Sequence, residues 1–313
     1  MTLYEHWLQV VGATPEAIAL TETLSGQTWT FAELQREAEQ APNPGRGVLE
    51  VRGRGSNFII DTLAGWQGNR VLCPCEGDEF LPEMPAPPAE VCHVKRTSGT
   101  TGTPRAVWFT ATQLKADVDH IVTTMGLRSD SPNIGVISLA HSYGFSNLVL
   151  PLLLHGIPLI LVEDPLPGTV ERALARFDKV TLPAVPAMWR AWLGAGILNN
   201  RIRLAISAGA PLTLPLEQAA YERAHLKIHN FYGSTECGGI AYDRTGIPRT
   251  DAACVGHALD GVALSIVDDR LEVRSGAVAL GYADDLSSVT LGQGRFLTTD
   301  HAEIEPDGHV LLR

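Results

Sequence analysis

The chain has 313 residues, 45% of them hydrophobic, and its 24 Lys and Arg against 35 Asp and Glu leave a formal net charge of −11. That is apolar material for a large buried core, and no Lys/Arg run exists to follow a phosphate backbone, so nucleic acid is not an expected partner. The opening MTLYEHWLQVVGATPEA lacks a basic segment followed by an apolar one, and a cytoplasmic location is expected. Five scattered cysteines (Cys73, Cys75, Cys92, Cys237 and Cys254) suit reduced thiols, and the CPC pair lacks a second ligand pair at zinc-site spacing.

In chain order, Thr30 and Glu33 form a capping box ahead of FAELQREAEQ, VLEV at 48–51 reads as a strand, and Ser56 precedes the helical NFIIDTLAGWQ. EFLPEMPAPPAE, 79–90, is a linker, because its four prolines deny donors to helix and sheet. Thr110 starts a helix through ATQLKADVDHIVTTM. Strands follow at NIGVIS (133–138), PLILV (158–162), KVTL (179–182), RLAIS (203–207) and LKIHN (226–230). The apolar run from Gly144 to Val162 is interrupted by Asn147, Pro151, His155, Gly156 and Pro158, so a buried helix, a turn and a buried strand are expected there, and no membrane span. After about residue 240 the helical period gives way to alternating segments, VALSIVD, RLEVRS and GHVLLR, with a hairpin turned at EPDG. The fold class is therefore α/β: stacked, largely parallel sheets with flanking helices over 1–239, and a β-rich subdomain over 240–313.

Four stretches carry chemistry. VKRTSGTTGTPRAVWF places five hydroxyl residues, two glycines and an arginine between Thr97 and Arg105, at the end of a strand. Converging N–H groups at Gly99 and Gly102, hydroxyl donors and a fixed charge suit a polyphosphate; a solvated connector has the same composition. The Gly-Lys-Ser/Thr ending of a Walker A loop is absent. NFYGSTECGGI, 230–240, offers an aromatic ring at Tyr232, a glycine turn at Gly233, the Thr235 hydroxyl and the Glu236 carboxylate, able to stack a base, bond a phosphate and hold Mg²⁺, or simply core and turn residues. SAGAPL, 207–212, puts small residues after a strand, where backbone can approach a flat ligand. In FLTTDHAEIEPDGHVLL, Asp300 stands at a strand end, a position where an isolated aspartate is ordinarily a turn former.

Together and in this order these stretches resemble the core motifs of the adenylate-forming superfamily of acyl-CoA synthetases, aryl-acid ligases, luciferases and adenylation domains. TSGTTGTPRAV is similar to its phosphate loop, NFYGSTECGG to its Tyr-Gly-Ser/Thr-Thr-Glu motif and TTD to its Thr-Gly-Asp. The resemblance implies that Thr97, Ser98, Gly99, Thr100, Thr101, Gly102 and Arg105 line the ATP phosphates, with Arg105 in place of the usual lysine. It implies further that Gly209, Ala210, Tyr232 and Gly233 frame the adenine, Thr235 bonds the α-phosphate, Glu236 holds Mg²⁺ and Asp300 accepts the ribose hydroxyls. SLAHSYGFSNL, 138–148, is similar to the segment lining the acyl pocket, here with His141, Tyr143 and Gly144, joined by Ser207.

The implied reaction is activation of a small carboxylic acid to an acyl adenylate, then thioester formation with CoA or the phosphopantetheine of an acyl carrier protein. His141 stands where amino-acid-activating relatives place an aspartate, so a fatty, aryl or other non-amino acid is expected; a hydrogen-bonded core histidine is the alternative for His141 itself. Ala106 and Thr299 replace usual glycines near the nucleotide. The chain ends before the small domain that carries a catalytic lysine in relatives, so impaired turnover is expected, and a non-catalytic adenylate-binding or scaffold protein is the second reading.

Overall fold

Thr30 and Glu33 meet as their spacing predicts: the Thr30 hydroxyl accepts the Glu33 amide at 3.1 Å and the Glu33 carboxylate accepts the Thr30 amide at 2.8 Å. The computed structural model describes residues 1–42, 47–77, 84–97 and 104–313. Its first part contains α1 (Leu3–Ala13), β1 (Ile18–Glu22), β2 (Thr28–Thr30), α2 (Phe31–Gln40), β3 (Val48–Arg52), α3 (Ser56–Gln67) and β4 (Val71–Cys75). Thr2 and Glu5 cap α1 in the same reciprocal way. Ser56 is not the cap of α3 but its first residue. Gly55 takes the cap position without a side-chain bond, and the Ser56 amide donates instead to Glu22 Oε1 at 2.6 Å.

The hairpin β5 (Val91–Arg96) and β6 (Ala106–Thr110) follows, then α4 (Ala111–Met125), closed by a Thr110–Gln113 capping box and by left-handed Gly126. Next come β7 (Asn133–Gly135), α5 (Ser142–Gly144), a π-helical turn Phe145–Val149, α6 (Leu150–His155) and β8 (Leu159–Leu161). The apolar run is thus helix, left-handed Gly156, and strand, all buried except at the turn, and among the described residues no helix is long and apolar enough to cross a membrane. The strand expected over 133–138 stops at Gly135, and the reason is steric. The backbone of Ser138–Leu139 packs directly on Gly144, where a Cβ would sit 1.9 Å from the Ser138 carbonyl oxygen, and this pulls the segment out of the ladder.

The chain continues through α7 (Pro167–Ala175), β9 (Val180–Ala184), α8 (Pro186–Ala195), β10 (Ile202–Ser207), α9 (Leu214–Ala224), β11 (Ile228–Ser234) and β12 (Gly238–Tyr242). It ends with β13 (Cys254–Ala258), β14 (Val262–Val267), β15 (Arg270–Ser275), β16 (Gly281–Tyr282), β17 (Leu291–Gly292), β18 (Arg295–Ile304) and β19 (Val310–Leu312). One sheet runs β14-β15-β18-β19-β13-β12-β11-β10-β9-β7-β8-β1-β2, with β17 beside β18; the other runs β16-β6-β5-β4-β3. Pairing is parallel from β1 through β8, β7, β9 and β10 to β11, and antiparallel from β12 onward. The change of period near residue 240 is this change of strand direction.

Between the sheets a buried polar link crosses four elements. Lys95 on β5 and Asp117 on α4 are 3.6 Å apart with side chains only 4% and 3% exposed. Ser146 bridges them, accepting from Lys95 Nζ at 3.2 Å and donating to Asp117 Oδ2 at 2.6 Å, while Asp117 Oδ1 accepts the Gly239 amide at 3.0 Å. Burial lowers the Lys95 pKa despite its partner, the direction expected for an ammonium taken out of water. Removing one member leaves the other uncompensated, so Asp117→Asn is expected to destabilise the chain by about 3–5 kcal/mol. Denaturant unfolding checks this against Asp119→Asn, whose exposed pairing with Lys115 and His155 is worth no more than about 1 kcal/mol. Equal small losses in the two variants would remove the link from the fold's stability.

Candidate nucleotide site

Parallel strands present their carboxyl ends on one side of a sheet, and at β11 the pairing changes from parallel with β10 to antiparallel with β12. Tyr232–Ser234 finish β11, Ser207 finishes β10, and Gly209 and Ala210 follow in an exposed loop with Gly209 at φ +81. After Ser234 the chain reverses tightly into β12. Gly233 admits no side chain, since a Cβ would lie 2.6 Å from the Gly238 carbonyl oxygen, and Gly238 at φ +70 sits against Asp117. The turn so made carries Thr235 and Glu236, both half-buried.

The structure brings the predicted residues together at two ends of this segment. At one end the Tyr232 hydroxyl donates to Asp300 Oδ2 at 2.5 Å, joining β11 to β18 across 68 residues of sequence. Burial and then Asp300 raise the Tyr232 pKa, so the phenol stays protonated and remains the donor. At the other end Glu236 Oε1 accepts the Tyr282 hydroxyl at 3.2 Å, and its backbone carbonyl accepts the Ala279 amide at 2.9 Å. Arg105 lies over the Tyr282 ring at 3.5 Å and holds Asp284 through Nε at 3.1 Å and Nη2 at 2.7 Å. Asp284, Arg105, Tyr282 and Glu236 therefore form one chain of contacts from the phosphate-loop hairpin to the β11–β12 turn. Glu236 keeps Oε2 free of any hydrogen bond among the described residues, a hard oxygen donor suited to Mg²⁺.

Of the loop itself, Ser98, Gly99, Thr100, Thr101 and Gly102 lie outside the described residues. Its neck is closed by Thr97 and Arg105: the Thr97 amide donates to the Arg105 carbonyl at 3.0 Å and the Arg105 amide to Thr97 Oγ1 at 2.9 Å. Ala106 and Thr299 differ in exposure. The Ala106 side chain is buried in the cluster of Cys73, Cys75, Val94 and Trp108, whereas Thr299 is exposed beside Asp300.

In the acyl-pocket segment, the Tyr143 hydroxyl lies 3.4 Å from the Ala184 carbonyl and 3.3 Å from the Ile206 carbonyl, so one proton serves the ends of β9 and β10. The Tyr143 ring packs 6.0 Å from that of Phe231, and buried Ser207 Oγ has no partner among the described residues. His141 is not a core histidine: its side chain is 63% exposed and Nε2 lies 2.5 Å from Glu76 Oε2. Sequence reading missed Tyr282, Asp284, Lys95 and Asp117. The GYADD stretch was the one available signal for the first two.

A profile described as AMP-binding enzyme matches residues 56–282. The chain belongs to this family. It is 28% identical over 287 residues to feruloyl-CoA synthase of an Amycolatopsis species, covering 81% of this chain and 56% of that protein. It is 27% identical over 211 residues to 4-hydroxybenzoate–CoA/benzoate–CoA ligase of Rhodopseudomonas palustris, covering 62% and 39%. The chain thus spans about half the length, or less, of these curated relatives. Among solved structures, O-succinylbenzoate coenzyme A synthetase from Bacillus subtilis in complex with ATP and magnesium ion shares the fold, with a TM-score of 0.80 at 19% identity over 98% of this chain and 78% of that one.

Within this AMP-binding chain the contact of Gly144 with Ser138 places Tyr143. Gly144→Ala is expected to cost about 1–3 kcal/mol, as overpacking does, and to alter the near-UV circular dichroism of the buried tyrosine. An unchanged melting curve and spectrum would show that Ser138 yields without moving Tyr143.

Proposed function

We propose that the site binds ATP with Mg²⁺ and joins it to a carboxylic acid, giving an acyl adenylate and pyrophosphate. The observation that carries this reading is the segment Tyr232–Glu236, tied to Asp300 at one end and to Tyr282 and Arg105 at the other. Asp300 accepts the ribose hydroxyls, Tyr232 with Gly209, Ala210 and Gly233 frames the base, and Thr235 bonds the α-phosphate. Thr97, Arg105 and the rest of the loop hold the phosphates beyond. Mg²⁺ bound at Glu236 would neutralise phosphate charge and polarise the α-phosphorus.

In the reaction a carboxylate oxygen of the acid attacks the α-phosphorus and the bond to the bridging oxygen of pyrophosphate breaks. Pyrophosphate leaves with that electron pair, and donors already aimed at the phosphates stabilise the charge that accumulates. Tyr143, Gly144, His141 and Ser207 border the acid. The two curated relatives are named for ferulic, 4-hydroxybenzoic and benzoic acids, and we therefore place aryl acids first among the substrates. Transfer of the acyl group to the thiol of CoA, or to the phosphopantetheine of an acyl carrier protein, completes the proposal for the whole protein, in the cytoplasm. We retain 1–239 and 240–313 as the two parts of one nucleotide-binding domain.

ATP–pyrophosphate exchange by the whole protein against a panel of acids tests the reading, with aryl acids expected to give the fastest exchange. Glu236→Gln should lower exchange at least about tenfold at unchanged melting temperature, because a carboxylate ligand is lost from a turn and not from the core. Asp300→Ala should weaken nucleotide binding by about 2–4 kcal/mol, since it removes the acceptor of charge-assisted bonds. Nucleotide binding with no exchange for any acid would favour the non-catalytic adenylate-binding reading.

A further inference from the structure

Arg105 is held on two sides before any ligand arrives. Its guanidinium lies flat over Tyr282 at 3.5 Å, and its Nε–Nη2 edge meets the Asp284 carboxylate through bonds of 2.7–3.1 Å. Backbone pairing fixes the holders: β16 runs antiparallel to β6 with Tyr282 opposite Val107, and the Ala283 amide donates to the Ala106 carbonyl at 2.9 Å. Tyr282 ends β16 and Asp284 lies in the turn that follows, closed by the Asp285 amide donating to the Tyr282 carbonyl at 3.1 Å, and both reach the same arginine. The Thr97 hydroxyl pins the Arg105 amide from the loop side.

An arginine guanidinium offers two paired-donor edges and two faces. Here one edge and one face are used, and Nη1 makes no hydrogen bond among the described residues, while the side chain is 36% exposed and reachable. The remaining Nη1–Nη2 edge is the fork that matches two phosphate oxygens.

We propose that Tyr282 and Asp284 are positioning residues that fix Arg105 as the reader of the phosphates beyond the α-phosphate, and that this cradle requires arginine and not lysine. The inference rests on the nucleotide reading above. A compact ammonium has neither the flat face for Tyr282 nor the paired donors for Asp284. Arginine loses much rotamer freedom when it grips a ligand, and the cradle removes that loss in advance. Asp284 also neutralises Arg105 in part, but its side chain is 63% exposed, so water and salt screen that effect. Charge alone predicts that removing the carboxylate tightens phosphate binding; positioning predicts that it weakens it. The two signs are opposite. Arg105 stands at the Glu236 end of the site and Asp300 at the Tyr232 end, so the effect should fall on ATP and spare AMP.

Calorimetric titration of ATP and AMP into the parent chain, Asp284→Asn, Arg105→Lys and the double variant reads this directly. Asp284→Asn is expected to weaken ATP about tenfold and to leave AMP within about twofold. Arg105→Lys should lose as much for ATP, and the double variant should be no weaker than Arg105→Lys alone, since both act through one guanidinium. If Asp284→Asn lowers the melting temperature, Asp284→Glu, which keeps the ion pair but displaces it by one methylene, should still weaken ATP and spare AMP. Tighter ATP binding, equal losses for both nucleotides, or additive losses would overturn the proposal while leaving the nucleotide site standing. A parent chain that binds neither nucleotide would overturn the functional reading and this inference with it.

Discussion

The buried contact of Lys95 with Asp117 is the constraint on which the site depends. Asp117 does not only balance an ammonium; its second oxygen takes the Gly239 amide, and its carboxylate fills the space where Gly238 would otherwise carry a side chain. One carboxylate thus fixes strand β5, which leads to Thr97, and the turn that presents Glu236. Ser146 brings the π-helical turn Phe145–Val149 into the same link. Burying two charges is costly, and an apolar pair of similar volume would give as much stability or more. What an ion pair gives instead is register: β5, α4 and the β11–β12 turn meet in one arrangement because any other leaves a charge unpaired in the core.

Geometry then follows from strand direction. The parallel strands β9, β10 and β11 end on the same side, and β12 turns back antiparallel, so the residues after Ala184, Ser207 and Ser234 cluster without any loop reaching far. The second sheet supplies what the first cannot. Its β5–β6 hairpin carries the loop, and β16 crosses from the C-terminal part of the chain to pair with β6. That crossing puts Tyr282 between Arg105 and Glu236. The chain after residue 240 therefore contributes to the site at two points, Asp300 on β18 and Tyr282 with Asp284 at β16, although it contains no helix among the described residues.

What could be read from sequence was local. Capping boxes at Thr30 and Thr110 involve partners three residues away, and the hairpin around the loop is announced by β-branched and aromatic runs on either side of Gly and Pro. Ser56 misled because a serine before an apolar run has the composition of a cap, yet it is the first helical residue, and its own amide donates to Glu22, 34 residues earlier. The strand expected through Ser138 was lost to Gly144, a contact that depends on a glycine being absent of side chain and not on the period of the strand. For His141 the core alternative fails, because its side chain is exposed and paired with Glu76.

The contacts that build the site span 22, 46, 68 and 179 residues, from Lys95–Asp117, Glu236–Tyr282, Tyr232–Asp300 and Arg105–Asp284. No periodicity encodes such pairs. They were accessible only where a motif names one partner, as with Glu236, Arg105 and Asp300, and the unnamed partners are residues whose chemistry is ordinary until the fold places them. Tyr282 illustrates this. In sequence it is one aromatic residue after a glycine; in the fold its hydroxyl touches the candidate metal ligand and its face carries the arginine of the loop. Burial and the Glu236 carboxylate both raise its pKa, so it remains a neutral donor to that carboxylate. A neutral ring thus stands between Arg105 and Glu236, and the cation finds its carboxylate partner in Asp284 instead.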